Sequence, residues 1–426
     1  MKFPYRFKVI FLSFLAVFIC YIDRVNISVA ILPMQEQFGW SDSQVGIIFS
    51  SFYLGYMITM IIGGYLADRF GGKKVLGYGL LLWSFFTIIT PAFAYSGIWL
   101  LILIRVLMGL GEGITFPAWH AIYARWIPFK ERTRSIAFTN TGIPCGVIFA
   151  YVVATIIMSN YSWEWVFYSF GFIGFIWYFF WKRSVTSYPE DNKFITSDEL
   201  NLIKREAPSK ETPPSIPFLK LITNMPFVSI VVATFCNNWV LFTFLSYLPK
   251  FIDSPVETGG LGISYENNFV LFIYLILIPS TVSIISLLSG GFLADLFIKR
   301  GYLIINVRKT FNSIGFFGAS IFLYLISFQD TLSSTLILLC LINFCSGISA
   351  GGFGVNHADL GPKYTGSIVG IAGSIGMISA IISPIVAGYI LQAFNSWNLI
   401  FIICSGILIF GGTFYLIFAD ATKQFD

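Results

Sequence analysis

Residues 63–74 read Gly63-Gly64-Tyr65-Leu66-Ala67-Asp68-Arg69-Phe70-Gly71-Gly72-Lys73-Lys74, and residues 290–295 read Gly290-Gly291-Phe292-Leu293-Ala294-Asp295. The second stretch begins 227 positions after the first, since 290 − 63 = 227. Each closes a long apolar run and is followed by basic residues, Lys73 and Lys74 in one case, Lys299 and Arg300 in the other. Two like segments in like settings, so far apart, indicate that half the chain is a copy of the other half.

The composition says what was copied. Hydrophobic types make up 56% of the 426 residues and charged types 11%, with 46 Phe alone. Soluble domains carry about 25% charged residues, so a surface built from this chain must face something apolar. A helix crossing about 30 Å of hydrocarbon needs about 20 apolar residues. Twelve stretches qualify, at 8–33, 43–67, 74–94, 97–124, 134–158, 163–183, 224–251, 266–298, 306–328, 332–358, 364–392 and 396–420. The first is too long for a signal-peptide core and carries Asp23 and Arg24, so it reads as a retained helix.

Basic residues then set the direction. Of the 26 Lys and Arg, 23 fall at the N-terminus, in the even-to-odd turns, in the connector after the sixth span or at the C-terminal end. Arg24 and Arg105 lie within spans and only Lys250 falls opposite. The positive-inside rule places both termini in the cytoplasm. The expected fold is therefore an all-α polytopic membrane protein of twelve transmembrane helices in two six-helix lobes, 1–183 and 224–426, with a cytoplasmic connector at 184–223. The connector reads as a solvated linker in which Thr196-x-x-Glu199 forms a capping box. The six cysteines all sit in apolar runs without a CxxC pair, which predicts buried free thiols rather than disulfides or a metal ribbon.

The stretch Gly64-x-x-x-Asp68-Arg69-x-Gly71-x-Lys73-Lys74 resembles, at every position, the loop 2–3 signature of the major facilitator superfamily. The resemblance implies a conformational latch formed by Gly64, Asp68, Arg69, Gly71 and Lys73, with Asp295 as the counterpart in the second half.

Four charges lie within spans: Asp23 and Arg24 in the first, Arg105 and Glu112 in the fourth. A charge at the bilayer centre costs roughly 2.5–3.5 kcal/mol on insertion scales, and such residues mark transport pathways. Arg105 and Glu112 are seven residues apart, hence on one helix face with about 10 Å between them. The guanidinium fork suits a carboxylate or phosphate. Burial disfavours the ionised form of a carboxyl, so a glutamate at this depth can exchange a proton. Asp23 and Arg24 are adjacent and point about 100° apart, which predicts separate tasks. Gly109, Gly111 and Gly113 leave room beside them for a ligand or a close helix.

Tyr21-Ile-Asp23-Arg24-Val-Asn26-Ile-Ser28 and Arg105-Val-Leu-Met-Gly109-Leu-Gly111-Glu112-Gly113-Ile-Thr115-Phe116-Pro117 resemble the first- and fourth-helix signatures of the anion:cation symporter family. His120, Phe235-Cys236-Asn237-Asn238-Trp239 and Gly354-Val-Asn356-His357-x-Asp359 continue the likeness to the branch of sialin, vesicular glutamate and organellar phosphate transporters, with bacterial hexuronate and aldonate transporters as relatives. The resemblance implies that Arg24 and Arg105 bind the substrate anion, with Tyr21 and Tyr56 lining its cavity; Asn237 and Trp239 are further expected substrate-binding residues. Tyr274 is expected in the cavity as well. It implies proton coupling through Asp23 and Glu112, and gating contributions from His120, His357 and Asp359. Vesicular glutamate transporters carry arginine where this chain has Asn237, which argues against glutamate as cargo.

Gly72-Lys73-Lys74 lacks the Ser/Thr and glycine spacing of a phosphate-cradling loop. Two distant histidines give no metal or nucleophile cluster, so neither an ATP-driven pump nor an enzyme is expected. The expectation is a secondary active transporter, a proton-coupled symporter of an organic anion such as a sugar acid or sialic acid. Sodium-coupled phosphate transport and a non-transporting sensor are the alternatives. No cofactor, metal or nucleic acid is expected; the partners are a small anion, a proton and the bilayer. A monomer in the cell's inner (plasma) membrane is anticipated.

Overall fold

The computed structural model describes residues 4–205, 218–329, 331–361 and 364–425. Among them are seventeen α-helices and no strand. The first unit holds α1 (Tyr5–Phe38), α2 (Asp42–Phe70), α3 (Gly72–Ser96), α4 (Ile98–Glu112), α5 (Thr115–Trp126), α6 (Phe129–Asn140), α7 (Gly142–Asn160), α8 (Glu164–Ser184) and the short α9 (Ser197–Arg205). The second holds α10 (Phe218–Ile222), α11 (Met225–Asp253), α12 (Phe269–Lys299), α13 (Ile304–Ile326), α14 (Leu332–Ile348), α15 (Phe353–Leu360), α16 (Thr365–Phe394) and α17 (Trp397–Phe418). Trp40–Gly46, which includes the start of α2, groups with the second unit.

Ten helical stretches among the described residues are long and apolar enough to cross a membrane. The 29-residue α2 and the 21-residue α8 complete the twelve. Tyr and Trp lower the hydropathy of α8 without making it less suited to a bilayer interface. Three spans are interrupted, and two of the breaks occupy corresponding places in the two halves. The fourth span breaks at Gly113-Ile114 between α4 and α5, the tenth at a 3₁₀ turn over Ser349–Gly351 between α14 and α15. A helix interrupted at depth exposes backbone polar groups, a construction that transporters place beside their binding sites.

Glycines decide how closely helices cross in the first unit. A Cβ on Gly109 would overlap the carbonyl oxygen of Phe52, and one on Gly113 the carbonyl oxygen of Tyr56. Between the two uses left open by the sequence, these glycines serve the close α2–α4 crossing. At Gly64 an added Cβ meets nothing within 4 Å, whereas one on Gly63 would lie 3.1 Å from the Pro117 side chain. The close approach at the end of α2 is therefore made by Gly63.

The connector departs from expectation. Glu199 donates its N–H to the Thr196 hydroxyl at 3.3 Å, half of a capping box. Its carboxylate does not return to Thr196 but crosses to the start of α1, accepting the amides of Tyr5 and Arg6 at 2.9 Å each. Arg6 donates to the same carboxylate at 3.1 Å and to both oxygens of Glu131 at 2.7 and 3.0 Å. An anion at a helix N-terminus satisfies otherwise orphaned amides, so α9 is docked rather than solvated. Residues 206–217 of the connector lie outside the described set. Cys145 is also unlike its expectation: it is exposed on α7, although all six cysteines are free.

The glycine contrast is testable by thermal unfolding in detergent. Gly109→Ala forces backbone apart and is expected to cost about 1–3 kcal/mol. Gly64→Ala is expected to stay within about 0.5 kcal/mol of the parent.

Candidate functional site

The two arginines and two carboxylates within the first unit are all buried, Asp23 and Glu112 completely. Sequence spacing on α1 sends Asp23 and Arg24 in different directions, as their 100° offset requires. Arg24 reaches α4, where Nη2 and Nε donate to Glu112 Oε1 at 2.6 and 2.9 Å. The Cys20 thiol, one turn earlier on α1, donates to the same oxygen at 3.1 Å. Aromatic rings surround the guanidinium: Tyr21 at 4.5 Å, Tyr56 at 4.7 Å and Phe52 at 5.6 Å from their centroids. Such rings stabilise a cation through their negative faces. The second carboxylate oxygen, Oε2, has no hydrogen-bond partner.

Asp23 turns instead toward α3 and accepts from Trp83 Nε1 at 3.0 Å, leaving Oδ1 without a partner. Arg105 is held differently again. It is 1% exposed, its guanidinium lies over the Phe52 ring at 4.9 Å, and Nη1 donates to the Met108 thioether at 3.9 Å. Nε has no partner, and among the described residues no carboxylate pairs with this cation. A buried guanidinium without an anion is expensive to maintain.

Arg105 and Glu112 thus point neither into lipid nor, in this structure, into an open cleft. The glutamate is closed on Arg24, and Arg105 waits beside a shared aromatic ring. Glu112 is also the last residue of α4, immediately before the break. Chemically, the arrangement offers one cation already neutralised by a carboxylate and a second cation that is not. An entering anion could use both only by displacing Glu112.

Among the residues anticipated from sequence, Tyr21, Tyr56, Asp23, Arg24, Arg105 and Glu112 gather here. Three participants were not anticipated: Cys20, Phe52 and Trp83, whose sequence contexts are ordinary apolar runs. Asn237 and Trp239 lie half-buried on α11 in the second unit, Trp239 with its ring 6.0 Å from that of Phe235. Tyr274 is 53% exposed on α12.

The expected gating residues are dispersed. Gly71 takes φ +85° between α2 and α3, a conformation that favours glycine. Arg69 donates to the Tyr65 hydroxyl at 3.0 Å, and Lys73 Nζ to the Lys182 carbonyl at 3.3 Å. The side chain of Asp68 lies outside the described set, and Asp295 is exposed. His120 is exposed, with its ring stacked 3.7 Å from that of Trp119. Asp359 accepts from Arg308 Nε at 2.8 Å, and Arg308 Nη1 donates to the Gly351 carbonyl at the break in the tenth span. His357, half-buried, precedes that pair by two residues.

Comparison with known proteins now adds a family. A family model described as Major Facilitator Superfamily matches residues 13–384. A protein described as probable anion transporter 4, chloroplastic, from Oryza sativa subsp. japonica is 35% identical, the match covering 100% of this chain and 70% of the relative. A sodium-dependent phosphate transport protein 1, chloroplastic, from Arabidopsis thaliana is 34% identical over 100% and 81%. Sialin from Ovis aries is 32% identical over 98% and 90%. Among solved structures, a bacterial homolog of the human lysosomal transporter Spinster superposes with a TM-score of 0.77 at 17% identity, covering 98% of this chain and 97% of that one.

The Arg24–Glu112 pair can be tested by a double-mutant cycle read by thermal unfolding. Glu112→Leu alone leaves a buried cation and is expected to cost about 3–5 kcal/mol, whereas Arg24→Met with Glu112→Leu should recover most of that loss. A double variant whose loss equals the sum of the two single losses would mean that the two groups are not coupled.

Proposed function

We propose that this chain, which belongs to the major facilitator superfamily, is a proton-coupled symporter of a small organic anion. The observation that carries the reading is the Arg24–Glu112 ion pair beside Arg105, a buried cation that no carboxylate among the described residues pairs with. The anion class is supported by the anion, phosphate and sialic acid carriers among its relatives.

The coupling follows from electrostatics. An anion arriving at Arg24 while Glu112 stays ionised would place two negative charges on one guanidinium in a low-dielectric site, which is strongly unfavourable. If a proton enters with it, Glu112 becomes a neutral carboxyl. Arg24 is then free to pair with the cargo, and the charge of the site is conserved. Arg105 supplies a second guanidinium for the same anion, sharing the Phe52 face with Arg24. Asp23, held by Trp83, is placed to relay or stabilise the transferred proton. Binding then takes up a proton, so affinity for the anion rises as pH falls. In the accompanying conformational cycle, alternating access moves the two six-helix halves around the site.

Sodium-coupled phosphate transport is the second reading, favoured by the name of one relative. Uptake into proteoliposomes separates the two. Galactonate, glucuronate, sialic acid and phosphate are offered with either a pH gradient or a sodium gradient. A pH gradient, acidic on the uptake side, is expected to drive carboxylate accumulation. Glu112→Gln is expected to abolish accumulation but keep exchange, and Arg105→Gln to weaken anion binding by at least tenfold. Accumulation driven only by sodium, or pH-driven accumulation surviving in Glu112→Gln, overturns the proton assignment.

A further inference from the structure

Lys73, Lys74 and Lys182 gather at the end of the first unit that the charge distribution assigns to the cytoplasm. Together with Tyr178 and Asp191 they line a pocket of about 310 Å³. Among the described residues none of the three lysines has an ion-pair partner; Lys73 donates only to a backbone carbonyl. Asp191 lines the pocket without pairing with any of them. Three like charges are costly to hold together in the absence of a counter-ion.

This pocket shares Lys74 and Tyr78 with a second, apolar groove of about 800 Å³. Phe70, Tyr78, Leu82, Phe85, Leu110 and Phe175 form its walls. Its floor is the close approach of α3 and α4 at Gly79 and Gly111, where a Cβ on Gly79 would overlap the Ile114 side chain and the Gly111 carbonyl oxygen. Along α3 the groove runs from Lys74 to Phe85, eleven residues or about 16 Å of helix. That is about half of a hydrocarbon core about 30 Å thick, the depth of one leaflet.

From this geometry we infer a binding site for one anionic phospholipid of the cytoplasmic leaflet, its phosphate in the three-lysine pocket and an acyl chain in the α3–α4 groove. Charge complementarity selects the occupant. The cytoplasmic leaflet is the anionic one, and basic pockets between helices on that side recruit acidic headgroups. A free phosphate would satisfy the lysines but leave the groove empty. A zwitterionic lipid would fill the groove but bring a cation to the lysines. The site adjoins Gly71, the turn between α2 and α3, and the first residues of α3, so an occupied site would brace that turn.

The experiment uses the purified full chain, stripped of lipid in detergent, with thermal unfolding and native mass spectrometry as readouts. Phosphatidylglycerol is expected to raise the unfolding temperature by several degrees and to be retained as one bound molecule. Phosphatidylcholine and soluble glycerol phosphate are expected to do neither. Lys74→Gln with Lys182→Gln should remove at least half of the phosphatidylglycerol shift. Leu82→Trp, which fills the groove at unchanged charge, should do the same. Lys204→Gln with Arg205→Gln, an equal loss of charge on α9, should leave it intact. An equal loss in that control would mean general surface electrostatics, and an unchanged shift in the pocket variants would mean ordinary boundary lipid. A full response to glycerol phosphate would mean a soluble-anion site. Each of these three results overturns the inference.

Discussion

The buried contact between Arg24 and Glu112 is the constraint to which the rest of the first unit conforms. Either charge alone would be costly at this depth, because burial of an unpaired ion costs several kcal/mol even after relaxation. Each therefore stabilises the other, and the surrounding residues adapt to the pair. Tyr21, Tyr56 and Phe52 present ring faces to the guanidinium, and Cys20 donates its thiol to the carboxylate. In the proposed mechanism the pair acts as a switch, since neutralising the glutamate would release a cation into a site that already contains another.

Backbone proximity makes the pair possible. Glu112 ends α4, and the helices on either side of it are drawn together through Gly109 and Gly113 against the α2 carbonyls of Phe52 and Tyr56. Bulkier residues at those positions would move Tyr56 and Phe52 away from Arg24. The α4–α5 break then frees the backbone just beyond the glutamate. Its counterpart in the second half, the turn at Ser349–Gly351, is tied by Arg308 to Asp359. The duplication visible in the glycine-aspartate motifs thus extends to the placement of helix breaks, each with an arginine–carboxylate pair nearby.

Much of this was legible in the sequence because membranes impose simple rules. Span length, the one-sided distribution of basic residues and the cost of intramembrane charge picked out twelve helices and the four ionisable residues Asp23, Arg24, Arg105 and Glu112. Adjacent positions on α1 also foretold that Asp23 and Arg24 would face different neighbours. What remained hidden was partner choice. No local pattern says that Glu112 meets Arg24 rather than Arg105, that Phe52 spans both arginines, or that Trp83 holds Asp23, because those pairings depend on how α1 to α4 rotate against one another. Glu199 shows the same limit: its capping-box spacing with Thr196 is real, yet its carboxylate serves the N-terminus of a helix 193 positions away at Arg6. Cys145 is exposed rather than buried because residue type alone does not say which side of a helix meets a neighbour.

Proton linkage to anion binding bears most directly on the role of the Arg24–Glu112 pair. Calorimetric titration of the detergent-purified chain with its transported anion, repeated in buffers of different ionisation enthalpy, counts the protons taken up per anion bound. Close to one proton is expected for the parent chain, and close to none for Glu112→Gln. Anion binding that takes up no proton in the parent chain, or the same number in both proteins, contradicts a carboxyl that must be neutralised before Arg24 can accept its cargo.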